Sequence, residues 1–222
     1  MQNVILLLYF IVSLIHLIDS YRDDRKRRAK TKPFLLVFLL VYYLIAAAKP
    51  SLFLVLALFA SWLGDVLLIF PGHRWFTLGG ISFIFSHIFF ILVYVRNFEI
   101  SQVPWAIIIP AAFLYCGIAL WIIHLTAPTT PKRMVGPMRF YLFCNSMMNL
   151  FALLQMLSLK SEASVVAYIG AVLFFISDCT LFLVRYYKHP NVVFKKHFTV
   201  MATYLVGEFL IVMGVLGIHA GV

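Results

Sequence analysis

The chain has 222 residues, of which 64% are hydrophobic and only 12% are charged, and its mean hydropathy is +1.00. A water-soluble protein needs far more polar surface, so this composition excludes a soluble enzyme or a soluble binding domain. A net charge of +10 alone would suit a nucleic-acid partner. The basic residues are concentrated in and beside the connections between apolar segments, however, and we therefore expect no nucleic-acid binding.

Apolar segments follow one another along the whole chain, separated by short polar connections. They predict an all-α, polytopic integral membrane protein, a bundle of about eight transmembrane helices that forms a single transmembrane domain over residues 1–222. The predicted spans are 3–19, 33–48, 50–70, 76–97, 104–124, 138–158, 164–187 and 198–219. The second span is short, and it follows a long basic stretch that we assign to a connection.

The distribution of basic residues predicts the orientation of these spans. If the first, third, fifth and seventh connections share one side, that side holds every Lys and Arg except Lys49, Arg96 and Lys160. By the positive-inside rule this side is cytoplasmic, and both termini face the exterior or the lumen. The host membrane depends on the organism: a cell membrane if the protein is bacterial, and the endoplasmic reticulum membrane if it is animal.

Polar residues recur within the spans at a similar distance from the predicted cytoplasmic side. In chain order they are Ser61 and Asp65, Ser82, Ser86 and His87, Asn145 and Asn149, Ser177 and Asp178, and Tyr204 and Glu208. A rise of about 1.5 Å per residue places them about 7–16 Å deep, and several pairs are spaced i,i+4 on one helix face. This pattern predicts a polar pocket that opens toward the cytoplasmic leaflet. His16 and Asp19, near the end of the first span, are interpreted as a solvated helix end.

The two aspartates within the spans are the strongest candidates for function. A carboxylate in hydrocarbon is costly, so Asp65 and Asp178 must face a protein interior or a wet cavity, where such residues commonly act. A structural role stays open for the others, because Ser and Asn commonly join membrane helices and a buried His such as His87 commonly packs. Glu208 is either catalytic or a neutral hydrogen-bond donor, since three carboxylates in one small pocket cannot all ionise cheaply.

Several of these motifs together resemble the lysoplasmalogenase (YhhN-like) family over nearly the whole chain. They are Lys32-Pro33, Ser-Trp-Leu-Gly-Asp65-Val-Leu-Leu, Ser86-His87, Gly170-Ala-Val-Leu-Phe-Phe-Ile-Ser-Asp178 and Thr203-Tyr204-Leu-Val-Gly-Glu208. The resemblance implies an eight-helix membrane hydrolase that cleaves the vinyl ether bond of lysoplasmalogens to a fatty aldehyde and glycerophosphoethanolamine or glycerophosphocholine. This sequence departs from the family at Glu208, where many members carry Gln.

The chemistry implied by the resemblance suits two carboxyl groups and no cofactor or metal. Protonation of the vinyl ether β-carbon needs a general acid, and the oxocarbenium ion that forms needs a nearby anion, as in glycoside hydrolysis. We expect Asp178 to donate the proton and Asp65 to stabilise the cation and activate water, or the reverse. We expect His87 to orient a carboxylate or to shuttle the proton. Glu208 is the fourth catalytic candidate.

The expected partners are the lysophospholipid substrate, lysoplasmenylethanolamine or lysoplasmenylcholine, and membrane lipids; the sequence leaves the oligomeric state open. Lys32 is predicted to hold the substrate phosphate. The other substrate-binding candidates are Ser61, Ser86, Asn145, Asn149, Ser177 and Tyr204.

Two alternatives come from other functional classes. A proton-coupled transporter also uses acids within the membrane, but such sites lie near the midplane, whereas this polar layer lies toward one side. A metal-dependent lipid amidase of the ceramidase type needs about three histidines around zinc, and only His87 is predicted to be central in a span.

Overall fold

A computed structural model describes residues 1–96, 101 and 103–220. It contains, in chain order, α1 (Gln2–Tyr21), α2 (Arg25–Ala46), α3 (Leu52–Leu67), α4 (His73–Val95), α5 (Trp105–Thr126), α6 (Lys132–Leu159), α7 (Glu162–Tyr186), a short 3₁₀ turn (Pro190–Val192) and α8 (His197–Ala220). Seven of these helices are long and apolar enough to cross a membrane. The predicted all-α, multi-pass membrane fold is thereby confirmed.

The third helix, which carries Asp65, is shorter than its neighbours. It has 16 residues and therefore extends about 24 Å, less than the hydrocarbon thickness of about 30 Å. The sequence pattern predicts a span over 50–70, but the helix ends at Leu67, only two residues beyond Asp65. The acid consequently lies in the last turn of an apolar helix. The predicted end of the fourth span, at residue 97, lies outside the described residues.

The second helix begins eight residues earlier than the predicted span. Asp24 caps it by accepting a hydrogen bond from the Arg27 backbone N–H at 3.0 Å, and the basic run that follows is helical. Lys and Arg favour helices, so a hydropathy pattern that detects only the lipid-facing part misses these first two turns. Pro33 therefore lies inside the helix rather than at its start. As a result, Arg28 and Lys32 are one helical turn apart on a single face.

The helices form two compact units, Met1–Val93 and the described residues from Tyr94 onward. In the first unit α3 and α4 approach closely at Gly64, where a Cβ atom would lie 2.6 Å from the Phe83 ring and 3.2 Å from the Gly79 carbonyl oxygen. Small residues allow such close approach of membrane helices. Asp65 directly follows this contact. The single transmembrane domain over residues 1–222 stays a prediction.

In the second unit α7 forms tight antiparallel pairs. Lys160 ends α6 in the left-handed conformation with φ 48°, and Ser161 then starts α7 with a reciprocal capping box to Ser164. On the other side, α7 meets α8 at Gly170, where a Cβ atom would lie 2.6 Å from the Gly207 carbonyl oxygen. These contacts fix the rotation of α7 and hence the direction in which Asp178 points.

Candidate functional site

In the first unit, Asp65 forms an ion pair with Lys32. The Lys32 Nζ lies 3.1 Å from the Asp65 Oδ1, and the two side chains are only 15% and 3% exposed. A nearby ammonium group stabilises the ionised form of a buried carboxyl group, so this geometry favours a charged Asp65. Trp62 helps to hold α3 against α2, because its indole N–H donates to the Pro33 carbonyl oxygen at 2.8 Å.

Serine side chains join α3 to α4 beside this ion pair. The Ser61 and Ser86 hydroxyl oxygens are 2.7 Å apart, and Ser82 donates to the Ala60 carbonyl oxygen at 2.7 Å. Ser61 lies one turn before Asp65, and His87, which is fully buried, directly follows Ser86. The first unit thus brings Lys32, Ser61, Asp65 and Ser86 into one polar region, in which the serines act at least as links between helices.

In the second unit, Asp178 is held by two donors from α6. The Tyr141 hydroxyl group and the Asn145 side-chain amide each donate a hydrogen bond of 2.8 Å to Asp178 Oδ2. Asp178 is 4% exposed. Both hydrogen bonds hold Oδ2 as an acceptor. The arrangement therefore fixes the orientation of the Asp178 carboxyl group relative to α6.

The remaining candidates of the second unit surround this group or lie farther along the same helices. Asn149 donates to the Asn145 backbone oxygen at 3.0 Å and side-chain oxygen at 3.2 Å, which orients the Asn145 amide. Ser177 donates to the Val200 carbonyl oxygen at 2.9 Å, so its hydroxyl links α7 to α8. The Tyr204 ring packs edge-on against Phe174, with centroids 5.3 Å apart.

Glu208 follows Gly207 in α8 and is fully buried. It is near enough to the fully buried Tyr94 to act electrostatically on that hydroxyl group. Its position next to an interhelical glycine parallels that of Asp65 after Gly64. Both acids are thus placed where the backbones of two helices approach closely, away from lipid.

The interpretation of His16 and Asp19 as a solvated helix end is wrong. His16 is 1% exposed and Asp19 is 5% exposed, because α2 begins directly after α1 and its basic first turns cover that face. The His16 Nδ1 lies 2.7 Å from the Thr31 hydroxyl oxygen across the two helices. Because α2 is already helical before its apolar part begins, its basic turns bury residues of α1 that the hydropathy pattern assigns to an exposed helix end.

Sequence reasoning missed two partners that the fold supplies. Tyr141 lies four residues before Asn145, so the i,i+4 spacing already noted for Asn145 and Asn149 could have found it. The pairing of Lys32 with Asp65 had no sequence signal, since the residues are on different helices. In the part of the chain that the structure describes, no group of three His, Cys, Asp or Glu side chains is placed to hold a metal ion.

The chain was compared with models of protein families, with curated proteins and with solved structures. The model of the YhhN family matches residues 27–215, which include most of α2, all of α3 to α7 and most of α8, whereas α1 precedes the matched region. No curated protein and no solved structure matches the chain.

Proposed function

Because the chain belongs to the YhhN family, the family of lysoplasmalogenases, we propose that it hydrolyses the vinyl ether bond of lysoplasmalogens. The products are a fatty aldehyde and glycerophosphoethanolamine or glycerophosphocholine. The observation that carries the proposal is the environment of Asp178: a buried carboxyl group with Tyr141 and Asn145 both donating to one of its oxygens. Such a group is suited to deliver a proton from a fixed position.

The reaction begins with proton transfer from the Asp178 carboxyl group to the β-carbon of the vinyl ether. The double-bond electrons form the new C–H bond, and the α-carbon and ether oxygen share the positive charge of an oxocarbenium ion. Tyr141 and Asn145 stabilise the aspartate that remains, because both already donate to its Oδ2. They are therefore positioning residues for the general acid.

Water then adds to the α-carbon, and loss of its proton gives a hemiacetal. The sequence assigns to an ionised Asp65 the stabilisation of the cation and the acceptance of this proton, and the Lys32 ammonium group favours the ionised form within their own unit. The hemiacetal collapses to the aldehyde and the glycerol hydroxyl group. One water molecule is consumed, and Asp178 is reprotonated. The proton shuttle that the sequence assigns to His87 is compatible with its fully buried position next to Ser86.

The proposed substrate is a single-chain lipid, and the seven helices that are apolar enough to cross a membrane suit its entry from the bilayer. The basic connections are proposed to face the cytoplasm, by the positive-inside rule. The host membrane is a cell membrane or an endoplasmic reticulum membrane, according to the organism.

The test is aldehyde release by the purified protein in detergent or nanodiscs. Lysoplasmenylethanolamine should yield aldehyde, whereas the saturated alkyl-ether lysolipid, which lacks the double bond, should not react. Asp178→Asn should lower turnover by about 10²–10⁴-fold, because general acid catalysis contributes that much. Ser146→Ala is the control, since Ser146 is buried on the neighbouring helix α6 but donates only to the Leu142 carbonyl oxygen.

Two results would overturn the proposal. Protein that is folded and yet releases no aldehyde from either lysoplasmalogen is not a lysoplasmalogenase, and transport assays in proteoliposomes would then address the transporter alternative. Asp178→Asn with more than about a tenth of the wild-type rate would remove Asp178 from the general-acid role.

A further inference from the structure

A stripe of buried polar side chains runs along the face of α1 that packs on α2. Ser13, His16 and Ser20 are spaced i, i+3 and i+7, so they share one helix face, and they are 7%, 1% and 2% exposed. Arg28 faces this end of α1 from the beginning of α2 and is also largely buried, with a side chain 14% exposed. We call these four residues the α1–α2 polar stripe.

Four atoms of the stripe are buried and have no hydrogen-bond partner among the described residues. They are Ser13 Oγ, His16 Nε2, Ser20 Oγ and Arg28 Nε. Buried polar atoms are almost always hydrogen-bonded, so several such atoms along one helix interface need an explanation. Serine in a helix commonly donates to the carbonyl oxygen four residues earlier, and neither serine does so here.

All four atoms can act as donors. The hydroxyl groups and the guanidinium N–H are donors by nature. For His16, the Thr31 hydroxyl oxygen lies 2.7 Å from Nδ1 and 3.2 Å from the Arg28 carbonyl oxygen, so both neutral tautomers are compatible with the geometry, and Nε2 is a donor in the one in which Thr31 donates to Nδ1. A neutral imidazole that accepts at Nδ1 carries its proton at Nε2. A set of buried donors with one guanidinium group matches a ligand that offers acceptor oxygens and negative charge.

The acidic groups around the stripe restrict further which class of phosphate ligand can bind there. Asp23 pairs with Arg28 Nη2 at 3.1 Å and is exposed, and Asp24 is occupied as the cap of α2 and the partner of Arg27. Asp19 is the buried acid beside the stripe, at 5% exposed. A dianionic phosphate monoester would be repelled by Asp19, whereas a phosphodiester that carries an ammonium group would have that group stabilised by it.

We propose that the α1–α2 polar stripe binds the phosphate group of a phosphoethanolamine headgroup on a single-chain lipid. His16, Ser20 and Arg28 donate to the phosphate oxygens, Asp19 accepts from the ammonium group, and Ser13, one turn deeper, donates to a glycerol oxygen. The identification of the lipid as the substrate rests on the proposed function; the phosphate site itself does not.

The register of α2 connects this site to Asp65. Lys32 follows Arg28 by one turn, about 6 Å deeper along the helix, and its ammonium group is 3.1 Å from Asp65. Lys32 is therefore engaged by the carboxylate, and Arg28 takes the phosphate-binding role that the sequence suggested for Lys32. In a lysoplasmalogen the vinyl ether is only a few bonds from the phosphorus atom, so a phosphate held at Arg28 places the reacting bond near the depth of Asp65.

Binding of the non-hydrolysable alkyl-ether lysophosphoethanolamine to the full chain in detergent tests the proposal without turnover. Isothermal titration should show Kd raised about tenfold or more by Arg28→Gln, and raised less by Arg28→Lys, which keeps the charge but loses the Nε donor. Ser20→Ala should also weaken binding. The matched control is Lys30→Ala, because Lys30 is an exposed cation on the same helix.

Two further ligands identify the source of the phosphate group. Inorganic phosphate should bind far more weakly than the lipid, and an alkylglycerol without phosphate should bind wild type and Arg28→Gln equally. Similar weakening by Arg28→Gln and Lys30→Ala would show a general charge effect and overturn the site. The site would also be overturned if the Arg28→Gln and Ser20→Ala variants were folded and bound the lipid as tightly as the wild type does. Phosphate binding as tight as lipid binding would overturn the headgroup assignment. A protein that shows these binding effects but releases no aldehyde would refute only the proposed hydrolysis.

Discussion

Removal of Lys32 should leave a buried carboxylate without its cation. At the observed 3.1 Å between Lys32 Nζ and Asp65 Oδ1, the attraction is about 5 kcal/mol at an effective dielectric constant of about 20. Desolvation of the two ions offsets most of that gain, so the intact pair contributes little net stability. Loss of one partner, however, costs about 3–5 kcal/mol, because the other charge stays buried.

We therefore predict that Lys32→Met destabilises the protein by about 3–5 kcal/mol, whereas Lys32→Met/Asp65→Asn recovers most of that loss. For a chain of this length, the single substitution should lower the melting temperature by about 6–20 °C. Thermal unfolding in a constant detergent measures both variants, with the exposed Lys30→Ala as the control. The double variant should be folded but nearly inactive in aldehyde release, since it lacks the Asp65 carboxylate.

Two outcomes would refute this reasoning. If Lys32→Met melts like wild type, then Asp65 is not a buried ion that depends on Lys32. If the double variant melts no higher than the single one, the loss comes from packing of the Lys32 side chain and not from an uncompensated charge.

The other predictions concern the second unit. Tyr141→Phe removes one donor to Asp178 and should lower kcat about 10–100-fold with little change in KM; an unchanged kcat would exclude Tyr141 as a positioning residue. Glu208→Gln should retain most activity and Glu208→Ala should not, because Gln can still donate in a fully buried position; a folded but inactive Gln variant would show that ionised Glu208 is essential. Gly170→Ala should destabilise the protein by about 1–3 kcal/mol, since its Cβ would lie 2.6 Å from a backbone oxygen of α8. Gly117→Ala, with no atom within 4 Å of its Cβ, should leave the stability unchanged. Equal melting temperatures of the two variants would contradict the tight α7–α8 contact.

The sequence alone was sufficient for the membrane fold and for the candidate acids. Hydropathy records the cost of placing polar groups in lipid, and that cost is set residue by residue, so the apolar helices and the exceptional Asp65 and Asp178 are visible without coordinates. Hydropathy does not detect helical turns that lie outside the lipid, because their side chains are polar. It consequently missed the first two turns of α2 and left His16 and Asp19 at an apparent helix end.

Only the tertiary structure decided which polar groups meet. The pairing of Lys32 with Asp65, and of Tyr141 with Asp178, depends on the rotation of each helix about its axis. That rotation is fixed by close contacts such as the one between α7 and α8 at Gly170, which involve residues far apart in the chain. Periodicity identifies the face on which a side chain lies, but the partner of that face is determined by packing between helices.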